Sequence, residues 1–150
     1  MTDWNTRRDQ ATTDIRAAVA RSDSSWSEIA KELDRPLLWT IAALLGSHPL
    51  PSELAQKAGQ LLDLDDETVL TLQEQPYRIM GDTLKSDPTI YRFYELLGVY
   101  GPALKEAIHE EFGDGIMSAI NCNVELSRRE DPEGDRVRIV IDGKFLKYQW

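Results

Sequence analysis

Cysteine is almost absent from this sequence. Cys122 is the only one, so no disulfide can close within the chain, which fits a reducing, cytoplasmic compartment. Positive charge is also scarce: 17 lysines and arginines face 26 aspartates and glutamates, for a formal net charge of -9. The deficit is spread evenly, with 8 basic and 13 acidic residues in 1–80 and 9 and 13 in 81–150. Neither half is a basic module, so a nucleic-acid backbone meets no electrostatic attraction, and no nucleic-acid partner is expected. Long apolar runs are missing as well. The longest, Leu37 to Leu45, is interrupted by Thr40 and falls well short of the ~20 residues that span a bilayer. The first ten residues are polar and charged, without a secretory apolar region. The two histidines, His48 and His109, have no His, Cys or carboxylate partner at metal-ligand spacing. There is no internal repeat and no low-complexity tract.

What is present predicts a folded α+β chain. Hydrophobic residues make up 41% and charged residues 29%, as in soluble globular proteins. Residues 1–75 read as an N-terminal helical bundle. Ala11, Ile15, Ala18 and Val19 recur at helical spacing. Ser25 with Glu28 forms a capping box ahead of Ile29, Ala30 and Leu33. Pro36 suits a first helical position, Leu37, Leu38, Ile41, Leu44 and Leu45 follow as a stripe, and Gly46 closes that helix. Pro51 opens a fourth helix, and Asp65 or Asp66 caps a fifth.

Residues 76–87, interrupted by Pro76, Gly81 and Asp82, read as a linker. Residues 88–150 form the second region. Asp87-Pro88 starts a helix whose apolar face carries Phe93, Leu96, Leu97 and Tyr100; Gly101-Pro102 is expected to break it and restart it. The period then changes from helical to alternating. Val124 and Leu126 alternate with polar residues, Asp131 to Asp135 makes a turn, and Arg136 to Ile141 is β-branched. Asp142-Gly143 is a strong hairpin signal, with Lys144 to Tyr148 expected as a returning strand. So small an antiparallel sheet cannot cover both its faces, and its apolar face is expected to pack in a dimer.

Several groups of residues invite a chemical reading. Residues 25–45 resemble a repressor-type helix-turn-helix, which makes a DNA-binding regulator the alternative function. The second helix, however, offers Leu37, Leu38 and Trp39 where base-reading helices carry Arg, Lys, Asn or Gln. Cys122 has no nearby base and reads as a structural thiol. Gly113-Asp114-Gly115 is either a nest of N–H groups for an anion or a helix stop. Ser118, three residues on, is either a hydroxyl donor to that anion or a small residue at a tight packing point. Arg92 and Glu95 stand at i, i+3: either a surface ion pair, or an anion site in which Glu95 fixes the guanidinium fork of Arg92.

The run Asp87-Pro88-Thr89-Ile90-Tyr91-Arg92-Phe93-Tyr94-Glu95, then Val99-Tyr100-Gly101, then His109 to Asn121 with Gly113-Asp114-Gly115-Ile116-Met117-Ser118, resembles the cyanase (cyanate hydratase, cyanate lyase) family. Looser similarity covers nearly the whole chain. The sequence departs from the family pattern at Gln75 to Lys85, where Ile79-Met80 replaces an Arg-Gly turn, and at Cys122-Asn123, where an aromatic residue is common. The resemblance implies a lyase that degrades cyanate with bicarbonate as co-substrate, in detoxification or nitrogen supply. It implies catalytic residues Arg92, Glu95 and Ser118, with Arg92 and Ser118 also binding substrate, and neither metal nor organic cofactor. It also implies a helical bundle kept for packing, a C-terminal domain of helices and sheet that intertwines two chains, and a homodecamer built as a pentamer of dimers.

Overall fold

The computed structural model of the chain describes residues 4–76 and 82–150. The chain divides into two compact units, Met1–Arg78 and Ile79–Trp150. The Ile79-Met80 departure and Gly81 lie outside the described residues.

Among its described residues the first unit contains five helices: α1 (Trp4–Arg21), α2 (Trp26–Leu33), α3 (Leu37–Leu44), α4 (Ser52–Leu62) and α5 (Asp66–Thr71). Their ends follow local chemistry. Ser25 Oγ accepts the Glu28 N–H at 3.2 Å while Glu28 Oε2 accepts the Ser25 N–H at 2.7 Å, a reciprocal cap on α2. Asp65 Oδ1 accepts the Thr68 N–H at 2.7 Å at the start of α5. Pro36 and Pro51 sit just before the first residues of α3 and α4. Gly46, at φ 91, takes the left-handed conformation that ends α3.

The apolar faces of these helices meet in one core, where Ile15, Ile29, Leu33, Leu44 and Leu72 are fully buried and Ala43, Ala55 and Ala58 allow close approach. Val19, Trp26, Trp39, Leu54, Leu64 and Val69 close over it. Arg8 is buried at the edge of this core. Its guanidinium donates to the Thr71 carbonyl and, at 3.4 Å, to that of His48, giving a partner to a carbonyl that the end of α5 leaves open. Burial lowers the Arg8 pKa, and the nearby Glu74 carboxylate opposes the shift.

The second unit begins with a short 3-10 helix, Asp82–Ser86, where the sequence suggested only irregular chain. It continues with α6 (Pro88–Phe112), β1 (Gly115–Arg129) and β2 (Arg136–Lys147). Asp87 starts α6, its Oδ1 accepting the N–H groups of Thr89 and Ile90, both at 2.9 Å. Gly101-Pro102 does not break the helix; α6 runs through Pro102 for 25 residues. Proline removes only one bond, to the Gly98 carbonyl, and the helical turns on both sides propagate past that loss. Asp142-Gly143 does not turn a hairpin. Gly143 lies within β2, paired with Cys122, and β2 runs on to Lys147. The strands are joined by the turn that the sequence predicts over Asp131 to Asp135. There the Gly134 N–H donates to the Asp131 carbonyl at 3.0 Å, and Gly134 has φ 127.

The β1–β2 hairpin is amphipathic. Cross-strand pairs share a face, so Val124↔Ile141 and Leu126↔Ile139 stand on one side, while Ser127↔Arg138 and Arg129↔Arg136 stand on the other. Unlike those of the bundle, the described residues of this unit form no core of their own. Among the described residues of 84–150, only Gly115 and Ser118 are buried. Phe93, Leu96, Leu97, Tyr100 and Phe112 of α6 and Leu126, Val137 and Ile141 of the hairpin are exposed.

Candidate active site

Arg92 and Glu95 occupy the second turn of α6. Arg92 Nη1 donates to Glu95 Oε2 at 3.1 Å, with 69% and 50% of the two side chains exposed. By itself that is a weak surface pair. It nevertheless fixes one edge of the guanidinium and leaves the remaining N–H groups of Arg92 without an acceptor among the described residues. The Tyr91 ring lies 6.0 Å from Arg92 Cζ, and Phe93 and Tyr100 stand open on the same helix. A surface that covers these aromatics would exclude water from the guanidinium and strengthen its hold on an anion.

Ser118 is the opposite case, 8% exposed and held by backbone. β1 bulges after Met117: Met117 pairs with Phe145 and Cys122 with Gly143, so residues 118–121 stand against Lys144 alone. Within the bulge, Ser118 Oγ accepts the N–H groups of Ile120 at 3.1 Å and Asn121 at 2.9 Å. A hydroxyl has two acceptor sites and one proton. With both acceptor sites filled, Ser118 presents an O–H donor, the polarity an anion requires. The same bonds consume the Ile120 and Asn121 N–H groups, which are therefore not anion donors themselves.

Gly113-Asp114-Gly115 serves as a helix stop. The Gly113 N–H donates to the His109 carbonyl at 2.9 Å with Gly113 at φ 88, and Gly115 enters β1 against Leu146 and Phe145. His109 Nε2 donates to the Gly115 carbonyl at 3.1 Å, joining the end of α6 to the start of β1. His48 packs on Trp39, with ring centroids 4.7 Å apart, and is structural. Among the described residues no group of three or more His, Cys, Asp or Glu side chains is placed to hold a metal ion.

Arg92 and Glu95 are thus brought together, but no hydrogen bond joins Ser118 to either within the chain. Arg92 lies about 30 Å along the helix axis from Phe112, the last residue of α6, at 1.5 Å per residue, and Ser118 stands on the strand that follows α6 in the chain.

The architecture is that of a small helical bundle followed by a helix and hairpin, with an arginine fork and a donor-only serine on the unit that lacks a core. A solved structure of cyanase from T. urticae has the same fold, with a TM-score of 0.81 and 36% identity, covering 91% of this chain and 96% of that one. The family profile described as cyanate hydratase, N-terminal, matches residues 8–76, and the cyanate lyase C-terminal domain matches residues 82–150. Cyanate hydratase of Mycolicibacterium vanbaalenii is 54% identical over 144 residues, 95% of this chain and 94% of that protein. Those of Mycobacterium avium (51%; 95% and 93%) and Thiobacillus denitrificans (48%; 95% and 97%) are similar over the same extent. The chain belongs to the cyanate hydratase family, and is a lyase.

Proposed function

We propose that this chain converts cyanate and bicarbonate to carbamate and carbon dioxide at a site shared between subunits, with Arg92, Glu95 and Ser118 as the catalytic residues and Arg92 and Ser118 holding substrate. The observation that carries this reading is the pairing of a guanidinium fork with a serine whose only free function is donation, in a chain that resembles cyanate hydratases along nearly its whole length.

Both substrates are anions, so the site has to stabilise two negative charges at close quarters. A bicarbonate oxygen attacks the cyanate carbon, forming a C–O bond, and the bicarbonate proton passes to the cyanate nitrogen. The resulting dianion then breaks the bond between the attacking oxygen and the original bicarbonate carbon. Carbon dioxide leaves, and the nitrogen takes one proton from solvent to give carbamate. Carbamate decomposes without the enzyme to ammonia and a second carbon dioxide. Catalysis rests on holding the two anions together and on donors preorganised at the developing dianion. Arg92 is the main counter-charge, Glu95 holds it in place, and the Ser118 O–H binds the second carboxylate-like end. Bicarbonate supplies nucleophile and proton, so the chemistry calls for no further cofactor.

The lack of any hydrogen bond from Ser118 to Arg92 or Glu95 within one chain, and the open apolar faces of α6 and the hairpin, support assembly from intertwined dimers into a decamer in which each site draws on more than one chain. In this reading residues 1–75 form the bundle, 76–87 the linker and 88–150 the catalytic and dimerisation domain. The acidic charge and the apolar second helix of the helix-turn-helix segment favour a cytoplasmic enzyme over a DNA-binding regulator. The test is ammonia release from cyanate with and without added bicarbonate. Release that depends on bicarbonate supports the proposal; none, or release indifferent to bicarbonate, refutes it.

A further inference from the structure

Gly143 has no positive φ, unlike Gly46, Gly113 and Gly134, so what it supplies is space rather than conformational freedom. It sits within β2 at the edge of the bulge of β1, paired with Cys122 and next to Lys144, which faces the bulge. A Cβ at this position would lie 2.7 Å from the Ser118 carbonyl oxygen and 2.4 Å and 3.0 Å from Cγ and Sδ of Met117. Met117 is flexible and can turn aside. The Ser118 carbonyl belongs to the backbone, and it can retreat only by moving Ser118 itself. The two bonds that Ser118 Oγ accepts, from Ile120 and Asn121 N–H, depend on that backbone position.

We propose that Gly143 is a positioning residue for Ser118: its missing side chain lets the bulge fold close over β2, and the bulge in turn holds the Ser118 hydroxyl as a donor. The inference rests on the reading above, in which Ser118 contacts substrate. A methyl group at 143 displaces the Ser118 main chain, loosens the two N–H contacts and frees the hydroxyl to rotate away from the anion. A glycine inside a strand is otherwise unfavourable, which makes its presence beside a bulge informative.

The experiment compares Gly143→Ala, Ser118→Ala, Met117→Ala, the Ser118→Ala/Gly143→Ala double variant and the Met117→Ala/Gly143→Ala double variant, each as the full chain with assembly checked by sedimentation. Gly143→Ala is expected to assemble and to lose kcat/KM on the order of 10²-fold, the scale of one lost transition-state donor. Adding Gly143→Ala to Ser118→Ala is expected to cost nothing more, because the glycine then has nothing left to position; a purely structural defect would multiply with the serine defect. Met117→Ala/Gly143→Ala keeps the contact with the Ser118 carbonyl and is expected to stay as impaired as Gly143→Ala.

Unchanged kcat/KM in Gly143→Ala, a multiplicative loss in the serine double variant, or full recovery on removing Met117 would each overturn the proposal. Full activity in Ser118→Ala would instead remove the proposed site and this inference with it, whereas an inactive Ser118→Ala beside an active Gly143→Ala removes only the inference. If Gly143→Ala does not assemble alone, it is co-folded as a minority with wild-type chains. Activity that falls in proportion to its incorporation supports the proposal. Unchanged specific activity, or failure to enter hybrids at all, overturns it.

Discussion

In residues 4–76, Ile15, Ile29, Leu33, Leu44 and Leu72 are shut away from solvent by the helices around them, whereas in residues 82–150 side chains of the same kinds, Leu96, Leu97, Val137 and Ile141, stand open. The bundle completes its core with its own five helices. One long helix and a two-stranded hairpin cannot do so, since an isolated hairpin is marginal in water and a single helix covers only part of one sheet face. The difference separates stability from chemistry. The self-sufficient unit carries none of the proposed catalytic residues, and the unit that needs covering carries all three. Contiguous apolar surface beside an arginine fork is economical if the surface that completes the core also dries the site.

The strongest test of this division is Arg92→Lys. The charge survives, but the planar fork that meets a carboxylate-like anion does not. The loss in kcat is expected to be on the order of 10²–10³-fold, with the thermal unfolding of the bundle unchanged. Near-normal turnover would make Arg92 a surface ion-pair partner and leave the second unit without its main counter-charge. Mixed oligomers probe the same division with a smaller effect. An Arg92→Ala chain keeps a sound Ser118, and a Ser118→Ala chain keeps a sound Arg92. If each site takes these residues from different chains, equal co-folding returns roughly a quarter of wild-type activity by random assortment, and that activity falls on dilution as the oligomer dissociates. Hybrids confirmed by mass that stay inactive would place each site within a single chain.

How much of this was legible in the sequence follows the same boundary. In the bundle, the Ser25–Glu28 box, the Asp65 cap and the Ile29, Ala30, Leu33 face are local signals, and the structure satisfies them locally. In the second unit, local signals misled twice. Gly101-Pro102 reads as a helix break, yet α6 absorbs one missing hydrogen bond. Asp142-Gly143 reads as a hairpin turn, yet a long-range pairing with Cys122 holds it inside β2. Arg92 and Glu95 were visible as an i, i+3 pair, because helical spacing is local. For Ser118 the residues left open a hydroxyl donor or a small residue at a tight packing point, and the filling of both its acceptor sites was not visible from them. It arises from a bulge whose four residues face one, and register of that kind is set by the partner strand. The available hint was an isolated glycine within an alternating pattern, which signals a bulge as readily as a turn.

Within the bundle a milder change separates core packing from catalysis. Ile29→Val removes one methylene from a fully buried site and is expected to cost about 0.5–1.5 kcal/mol in the unfolding free energy of the bundle, with kcat unchanged. Chemical denaturation and steady-state rates on the same preparation check both halves of that statement. A drop in kcat without loss of assembly would mean that the bundle core reaches the catalytic groups after all.

The smallest expected effect concerns acid stability of the first unit. Asp65 accepts the Thr68 N–H at the start of α5, and the hydrogen bonds from Thr68 hold its pKa below the ordinary carboxylate value. A carboxyl group whose pKa is lower folded than unfolded stabilises the fold at pH above its unfolded value. That stabilisation is lost as pH falls through the lower, folded value. Glu28, whose pKa is lowered by the backbone and side-chain hydrogen bonds of Ser25, acts with the same sign. The unfolding midpoint of the wild-type bundle should therefore decline on acidification below about pH 4, the ordinary range of these groups. Asp65→Asn keeps an oxygen able to accept the Thr68 N–H but cannot titrate. Its unfolding midpoint should lie slightly below that of the wild type near neutrality, where the charge contributes, and should vary less with pH over that interval. The measurement is a set of denaturant titrations from neutral pH downward on both proteins, followed by helical circular dichroism. Identical pH dependence in the two would show that the carboxylate at the start of α5 caps the helix without contributing to acid unfolding, and would leave the decline to Glu28 and the remaining carboxylates.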